Sequence, residues 1–299
     1  MTSTTTPPGP TIRWVTAAAQ RQALDGLADL IEKHYVFPSV ADVCADGLRR
    51  RPVRSSGLSS SALARELTAQ LRTHDRHFAV TWGAPSSLIR SVPQRDADSD
   101  SAMSLRAVGG IGILAVSRFD DAMSADAAAL ADDCLTGLEH CDAAIVDVRG
   151  NPGGWPSMTE HLLSAFLGPD AVHVLTFTRR GEPARVVRTR PRRPAGRLAD
   201  IPLVALVDER TASAAESLTY TLQSTGRAVI VGRRTAGAAN PVESFADRSG
   251  FHVLIPTGAP VDPRTGTNWD QNGITPDVVV GDADHPLARA LAEARRLLR

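Results

Sequence analysis

The sequence predicts an α/β (or α+β) protein, with a largely parallel or mixed sheet preceded by a small helical unit. Two observations carry this. From Ile111 onward, short apolar runs of strand length alternate with segments of helical length. Before that point, apolar residues recur at helical spacing, and only one short strand-like run, FAVTW, closes the region. The 299 residues, 42% of them hydrophobic, are enough for one or two cored domains.

Taken in order, residues 1–12 are polar and proline-rich and predict a disordered tail. The opening MTSTTTPPGP lacks a charged segment followed by an apolar one, so no signal peptide is expected. No apolar run approaches the ~18 residues of a membrane span. A soluble, cytoplasmic protein is the expectation. Net charge is zero, which gives no footprint for nucleic acid or an anionic membrane surface.

A helical domain is expected over 13–84. Leu24, Leu27, Leu30, Ile31 and Tyr35 mark a first helix that Pro38 ends. Val40–Leu48 is a second, and Leu63, Leu67 and Leu71 mark a third after Ser59. His77 stands where this pattern gives way to the strand, with His74 three residues earlier; no further Cys, Asp or Glu pattern completes a metal site. Residues 85–104 have no periodicity and read as a linker or mobile loop. Cys44, Cys134 and Cys141 are odd in number and widely spaced, which suggests buried thiols rather than disulfides or zinc ligands.

The second domain is expected over 105–299. Its strands are Ile111–Val116, Ala143–Val148, Val172–Phe177, Val186–Arg188, Pro202–Asp208 and Ala228–Val231, followed by a hairpin region over Val242–Pro256. Helices are expected over Ser124–His140, Met158–Leu167, after Ser213 up to Gly226, and over Pro286–Leu298.

Two strand-to-helix turns carry the chemistry. In TASAAE (Thr211–Glu216), Ser213 follows a buried strand and precedes a helix, so its oxygen can stand at a helix N-terminus beside free amides. A serine nucleophile with half of an oxyanion hole needs that arrangement. Ser213 and Glu216 equally fit a capping box, in which the serine only satisfies helix amides. The second turn, RGNPGGW (Arg149–Trp155), follows another buried strand, and its adjacent glycines can turn backbone N–H groups toward a ligand. It lacks the spacing and the lysine of a phosphate loop. Ala214 N–H from one turn, with Gly153 or Gly154 N–H from the other, would make an oxyanion hole.

The segments IVDVRGNPGGW, VALVDERTASAAES, GRRTAGAANP and GTNWDQNGITPDVVV, in this order, resemble the tail-specific (C-terminal-processing) serine peptidases. With HYVFP and LRTHDRH, they are most similar to the branch of interphotoreceptor retinoid-binding protein modules and their bacterial relatives. The resemblance runs from about residue 17 to the end. It implies a crotonase/Clp-protease-like ββα-spiral core with a small N-terminal helical domain, and leaves no room for a PDZ domain.

Members of this family use a Ser–Lys dyad or a Ser–His–Glu arrangement. The dyad lysine would fall at Ala238, and the only lysine in the chain is Lys33. The resemblance therefore implies Ser213 as nucleophile, His77 as base and Asp270 as the acid that orients the imidazole, where the family usually has Glu. It implies a serine hydrolase, most simply a peptidase, acting on a peptide or other acyl substrate without metal or cofactor. It leaves a homo-oligomer open. Two alternatives use the same scaffold: a non-catalytic module for an apolar, retinoid-like ligand, and an acyl-transfer or cyclising enzyme.

Overall fold

The computed structural model describes residues 14–55, 57–83, 101–191 and 196–299. The expected tail over 1–12 and most of the expected linker, residues 85–100, lie outside them. The chain forms two compact units. One comprises Met1–Ser91, Thr178–Pro183 and Pro241–Ala259; the other comprises Val92–Phe177, Ala184–Asn240 and Pro260–Arg299.

In the first unit, three helices cover Ala17–His34, Pro38–Arg49 and Ser60–Leu71. Thr16 and Ser59 cap the first and third, accepting from Ala19 N and Ala62 N, each at 3.2 Å. Pro38 is the first residue of the second helix, where a missing N–H costs nothing, so it opens that element as well as ending the one before. The unit is not purely helical. The strand Ala79–Trp82 pairs antiparallel with Phe251–Pro256, which pairs with Val242–Ala246. Leu24, Leu27, Ile31, Leu48, Leu63, Leu67, Phe78, Phe251 and Val253 are buried together as its core.

The second unit is built on a six-stranded sheet. Its order is Val278–Val279, Val229–Gly232, Leu203–Val207, Ala143–Asp147, Ile111–Val116, Met103–Val108. All pairs are parallel except the last two strands, which form a hairpin. The hairpin turns at Gly109–Gly110, both at positive φ, as a two-residue primed turn requires. Met103–Val108 therefore extends the sheet where the sequence reading ends its linker.

Strand residues alternate between two cores, because successive side chains point to opposite faces. Leu114, Val116, Val146, Leu203, Ala205 and Ile230 pack in one cluster with residues of the helices Ala125–Leu138, Pro156–Phe166 and Ala214–Ser224. Ile113, Ile145, Val204, Leu206 and Val231 pack in another with Ala290 and Ala294 of the helix Pro286–Leu297. A sheet covered on both faces explains why its strands read as continuous apolar runs. The mixed α/β architecture agrees with the spiral-type core that the resemblance implies. Among the described residues, no helix is long and apolar enough to cross a membrane.

Candidate active site

The second unit brings the two chemistry-bearing turns together. Asn151 O accepts from Ala212 N at 2.9 Å, and the Thr211 hydroxyl donates to Val148 O at 2.9 Å. Asp208 accepts from Gly150 N at 2.7 Å and Thr211 N at 3.1 Å. The closeness has a steric signature at Gly153. A Cβ there would stand 2.8 Å from Ser213 Cβ and 2.9 Å from both Ala212 O and Ala214 N. Gly153 also sits at φ +102°, so both space and backbone require glycine.

Ser213 itself is strained. It immediately precedes the helix Ala214–Ser224 with φ 53° and ψ −120°. Among the described residues, only Gln271 shares a positive φ without being glycine. That conformation costs about 1–3 kcal/mol, and a fold holds such a residue only where its surroundings over-determine it. Ser213 is exposed, although Ala212, Ala214, Ala215 and Glu216 around it are buried. The strain presents its side chain to solvent.

Glu216 supplies the restraint. It is fully buried, and its carboxylate accepts from Ser213 N at 3.0 Å, Gly237 N at 2.7 Å, Ala238 N at 2.9 Å and the Thr235 hydroxyl at 2.5 Å. One arm of the capping box is thus realised, and the same side chain also fastens the TAG turn (Thr235–Gly237) to the Ser213 turn. Ala236 N, in that turn, donates to Thr211 O at 3.0 Å. Burial raises the Glu216 pKa, and the four hydrogen bonds only partly oppose it, so it lies above the ordinary Glu value.

The candidate oxyanion amides differ in what they already hold. Gly153 is buried, and its N–H donates to Asn151 Oδ1 at 2.8 Å. Gly154 is exposed, and its bridge to Phe119 uses Gly153 O and Trp155 N, not its own amide. Ala214 is the first helical residue, and its N–H has no carbonyl behind it in the helix. Asn151, which sequence reasoning passed over, is fully buried and also donates from Nδ2 to Val116 O at 3.0 Å. Arg149 and Asp147 brace each other beside this turn, at 2.6 and 2.8 Å.

Asp270 lies in the same unit. Its carboxylate accepts from Ala239 N at 3.0 Å, Asn240 N at 3.1 Å and Asn240 Nδ2 at 3.0 Å. Gln271 N donates to Gly237 O at 2.8 Å. The Asp270 turn is therefore joined to the segment that Glu216 holds.

His77 lies in the first unit and is described there. Its Nδ1 is 2.8 Å from Asp75 Oδ1, and its own backbone N donates to that oxygen at 2.9 Å. Asp75 Oδ2 accepts from the Tyr35 hydroxyl at 2.9 Å. The Asp75 side chain is fully buried and the His77 side chain is 16% exposed. Burial works to raise the Asp75 pKa, but the hydrogen bonds from the His77 ring, the His77 amide and Tyr35 outweigh it, and the pKa lies below the ordinary Asp value. Asp75 was visible in the LRTHDRH segment but carried no assigned role. The available signal was its position two residues before His77, the spacing of an Asx-turn.

A family model described as peptidase family S41 matches residues 110–280, more than half of the chain, and takes in the glycine turn, Ser213 and Asp270. The carboxy-terminal processing protease CtpB of Bacillus subtilis is 26% identical over 178 residues, 58% of this chain and 35% of that protein. The chloroplastic carboxyl-terminal-processing peptidase 3 of Arabidopsis thaliana is 32% identical over 161 residues, 52% of this chain and 30% of its own length. The chain thus matches about a third of the length of these relatives. A solved structure of a peptidase candidate from Parabacteroides merdae shares the fold, with a TM-score of 0.69 at 17% identity over 93% of this chain and 96% of that one.

Proposed function

The chain belongs to peptidase family S41, and from that premise we propose that it is a serine peptidase of the tail-specific type, with Ser213 as nucleophile and His77 as general base. His77 takes the proton from Ser213 Oγ as the oxygen attacks the acyl carbon of a peptide. The developing oxyanion is held by the Ala214 N–H and by the glycine pair Gly153–Gly154, of which the Gly154 amide is the one not engaged by Asn151. The imidazolium returns its proton to the leaving amine, and water then releases the acyl group by the same route in reverse. Asp270, at the family's acid position, adds negative charge that favours the imidazolium.

The observation that carries this reading is the backbone of Ser213. A capping serine has ordinary extended angles, as Thr16 and Ser59 do at φ −67° and −69°. Ser213, at φ 53°, departs from them in the way a nucleophile on a strained strand-to-helix turn does. The test is to incubate peptides bearing free C-termini with the protein and identify the fragments by mass spectrometry. Cleavage that drops about 10³-fold or more in Ser213→Ala is expected. Cleavage that survives the substitution contradicts the nucleophile assignment.

A further inference from the structure

We infer that Asn151 is a positioning residue for the oxyanion hole: it takes up the Gly153 N–H and so leaves the Gly154 N–H, with that of Ala214, to face the developing charge. The inference rests on Ser213 being the nucleophile of the proposed peptidase, and it decides between two glycine amides that the sequence leaves open. A merely structural Asx-turn accounts for one contact, Gly153 N on Asn151 Oδ1 at 2.8 Å. It does not account for Nδ2, which donates to Val116 O at 3.0 Å. Nor does it account for the backbone, where Asn151 N donates to Val148 O at 3.2 Å and Asn151 O accepts from Ala212 N at 2.9 Å. The fully buried side chain ties the glycine turn to the end of the strand Ile111–Val116, and the backbone ties it to the Ser213 turn.

The assignment follows from pairing donors with acceptors. A side-chain amide accepts at one end and donates at the other, and each end of Asn151 meets its complement, so one orientation satisfies both. With the Gly153 N–H consumed, its carbonyl is consumed as well, because Gly153 O accepts from Phe119 N at 2.9 Å. Phe119 O in turn accepts from Trp155 N at 2.9 Å. In such a parallel bridge the N–H and C=O of the middle residue face the opposite side, so the Gly154 N–H points away from Phe119. A Cβ on Gly154 would overlap Phe119 O, so this close approach requires glycine. Among the described residues the Gly154 amide has no hydrogen-bond partner. It follows directly on Gly153, whose Cβ position is 2.9 Å from Ala214 N, so the two remaining amides are neighbours.

The test reads the two glycine amides separately. Backbone ¹H–¹⁵N spectra of the full chain are recorded before and after reaction with a peptide trifluoromethyl ketone. The Ser213 oxygen adds to its carbonyl carbon, the serine proton passes to the base, and the carbonyl oxygen becomes the hemiketal oxyanion. The Gly154 and Ala214 N–H signals are expected to move downfield, and that of Gly153 to stay. In the free protein the Gly153 amide is expected to exchange with D₂O about tenfold or more slower than that of Gly154. Asn151→Ala is expected to erase this protection, to lower kcat about 10²-fold with KM within about threefold, and to weaken the ketone by a similar factor to kcat. A merely structural asparagine would lower stability and leave the ketone affinity of the folded protein unchanged. Asn151→Ser, whose hydroxyl can close the same turn more weakly, is expected to recover part of the kcat and of the ketone affinity.

A Gly153 signal that moves in the adduct while that of Gly154 stays overturns the inference without any variant at residue 151. So does a folded Asn151→Ala protein that keeps both kcat and ketone affinity. If Asn151→Ala does not fold, the parent spectra and Asn151→Ser decide. If the parent forms no adduct yet its Gly153 amide is protected and loses that protection in the residue 151 variants, the peptidase reading fails and the hold of Asn151 on the glycine turn stands.

Discussion

Asp75 and Glu216 are both buried carboxylates, one in each unit, and their environments push them in opposite directions. Both lose hydration. Glu216 is compensated by four neutral donors, three amides and a hydroxyl, and desolvation wins. Asp75 faces Tyr35 and an imidazole that can carry positive charge, and the hydrogen bonds win. Burial alone therefore does not fix the state of a carboxylate; the donors around it do. Glu216 holds a strained backbone still, whereas Asp75 holds the side chain of His77, the proposed base.

The rigidity of the Ser213 turn is the feature most easily broken. Gly153→Ala places a methyl group 2.8 Å from Ser213 Cβ at a backbone angle unsuited to alanine. It is expected to lower kcat by about 10²-fold or more and to destabilise by about 1–3 kcal/mol. Steady-state kinetics and urea unfolding check both. An alanine variant with parental kcat would mean that the turn does not set the nucleophile's geometry.

Glu216→Gln breaks the restraint itself. Oε2 takes two amide donors, and Oε1 takes an amide and a hydroxyl. Whichever way a glutamine amide faces, its NH₂ meets at least one N–H. The expected cost is about 1–3 kcal/mol for an unsatisfied buried donor, with kcat reduced in parallel. Asp75→Asn leaves a carbonyl that can still accept from His77, so its stability cost is expected to be smaller than that of Glu216→Gln.

The opposite pKa directions sharpen the contrast. Glu216 is raised, so between the ordinary 4.5 and its native value the folded state binds more protons than the unfolded one. Its contribution falls as pH rises through that window. Asp75 is lowered, so its contribution is present above the ordinary 3.8 and is lost as pH falls through its native value. Parent-minus-variant stability should therefore decline upward from pH 4.5 for Glu216→Gln and downward from pH 3.8 for Asp75→Asn. Urea titrations across a pH series measure this, and slopes of the same sign would erase the distinction. The smallest effect is expected for Tyr35→Phe, which removes one of three donors on Asp75, with a loss of about 1 kcal/mol and only a few-fold in kcat.

Much of the second unit was legible because its signals are local. The runs AAIVDV and PLVALVD are apolar because the sheet is covered on both faces, and each leads into one of the two turns that form the candidate site. Met103–Val108 was also readable: Met103, Leu105 and Ala107 alternate with Ser104 and Arg106 ahead of a Gly–Gly turn. The sequence reading assigns it no element, between the polar stretch and the Ile111 strand. The pairing of Phe251–Pro256 with Ala79–Trp82 has no local signal, since nothing within either strand specifies a partner that far away in sequence. The same holds for Glu216: the S-x-x-E spacing announces its bond to Ser213 N, whereas Thr235, Gly237 and Ala238 reach it only through the fold.

The central claim is that Ser213 is an activated nucleophile served by His77. Intact-mass analysis after treatment with a fluorophosphonate probe tests it most directly. The account predicts a single adduct on the parent protein, none on Ser213→Ala, and labelling slowed by about 10²-fold or more on His77→Ala. A folded parent protein that takes no adduct, or an adduct that persists in Ser213→Ala, would contradict it.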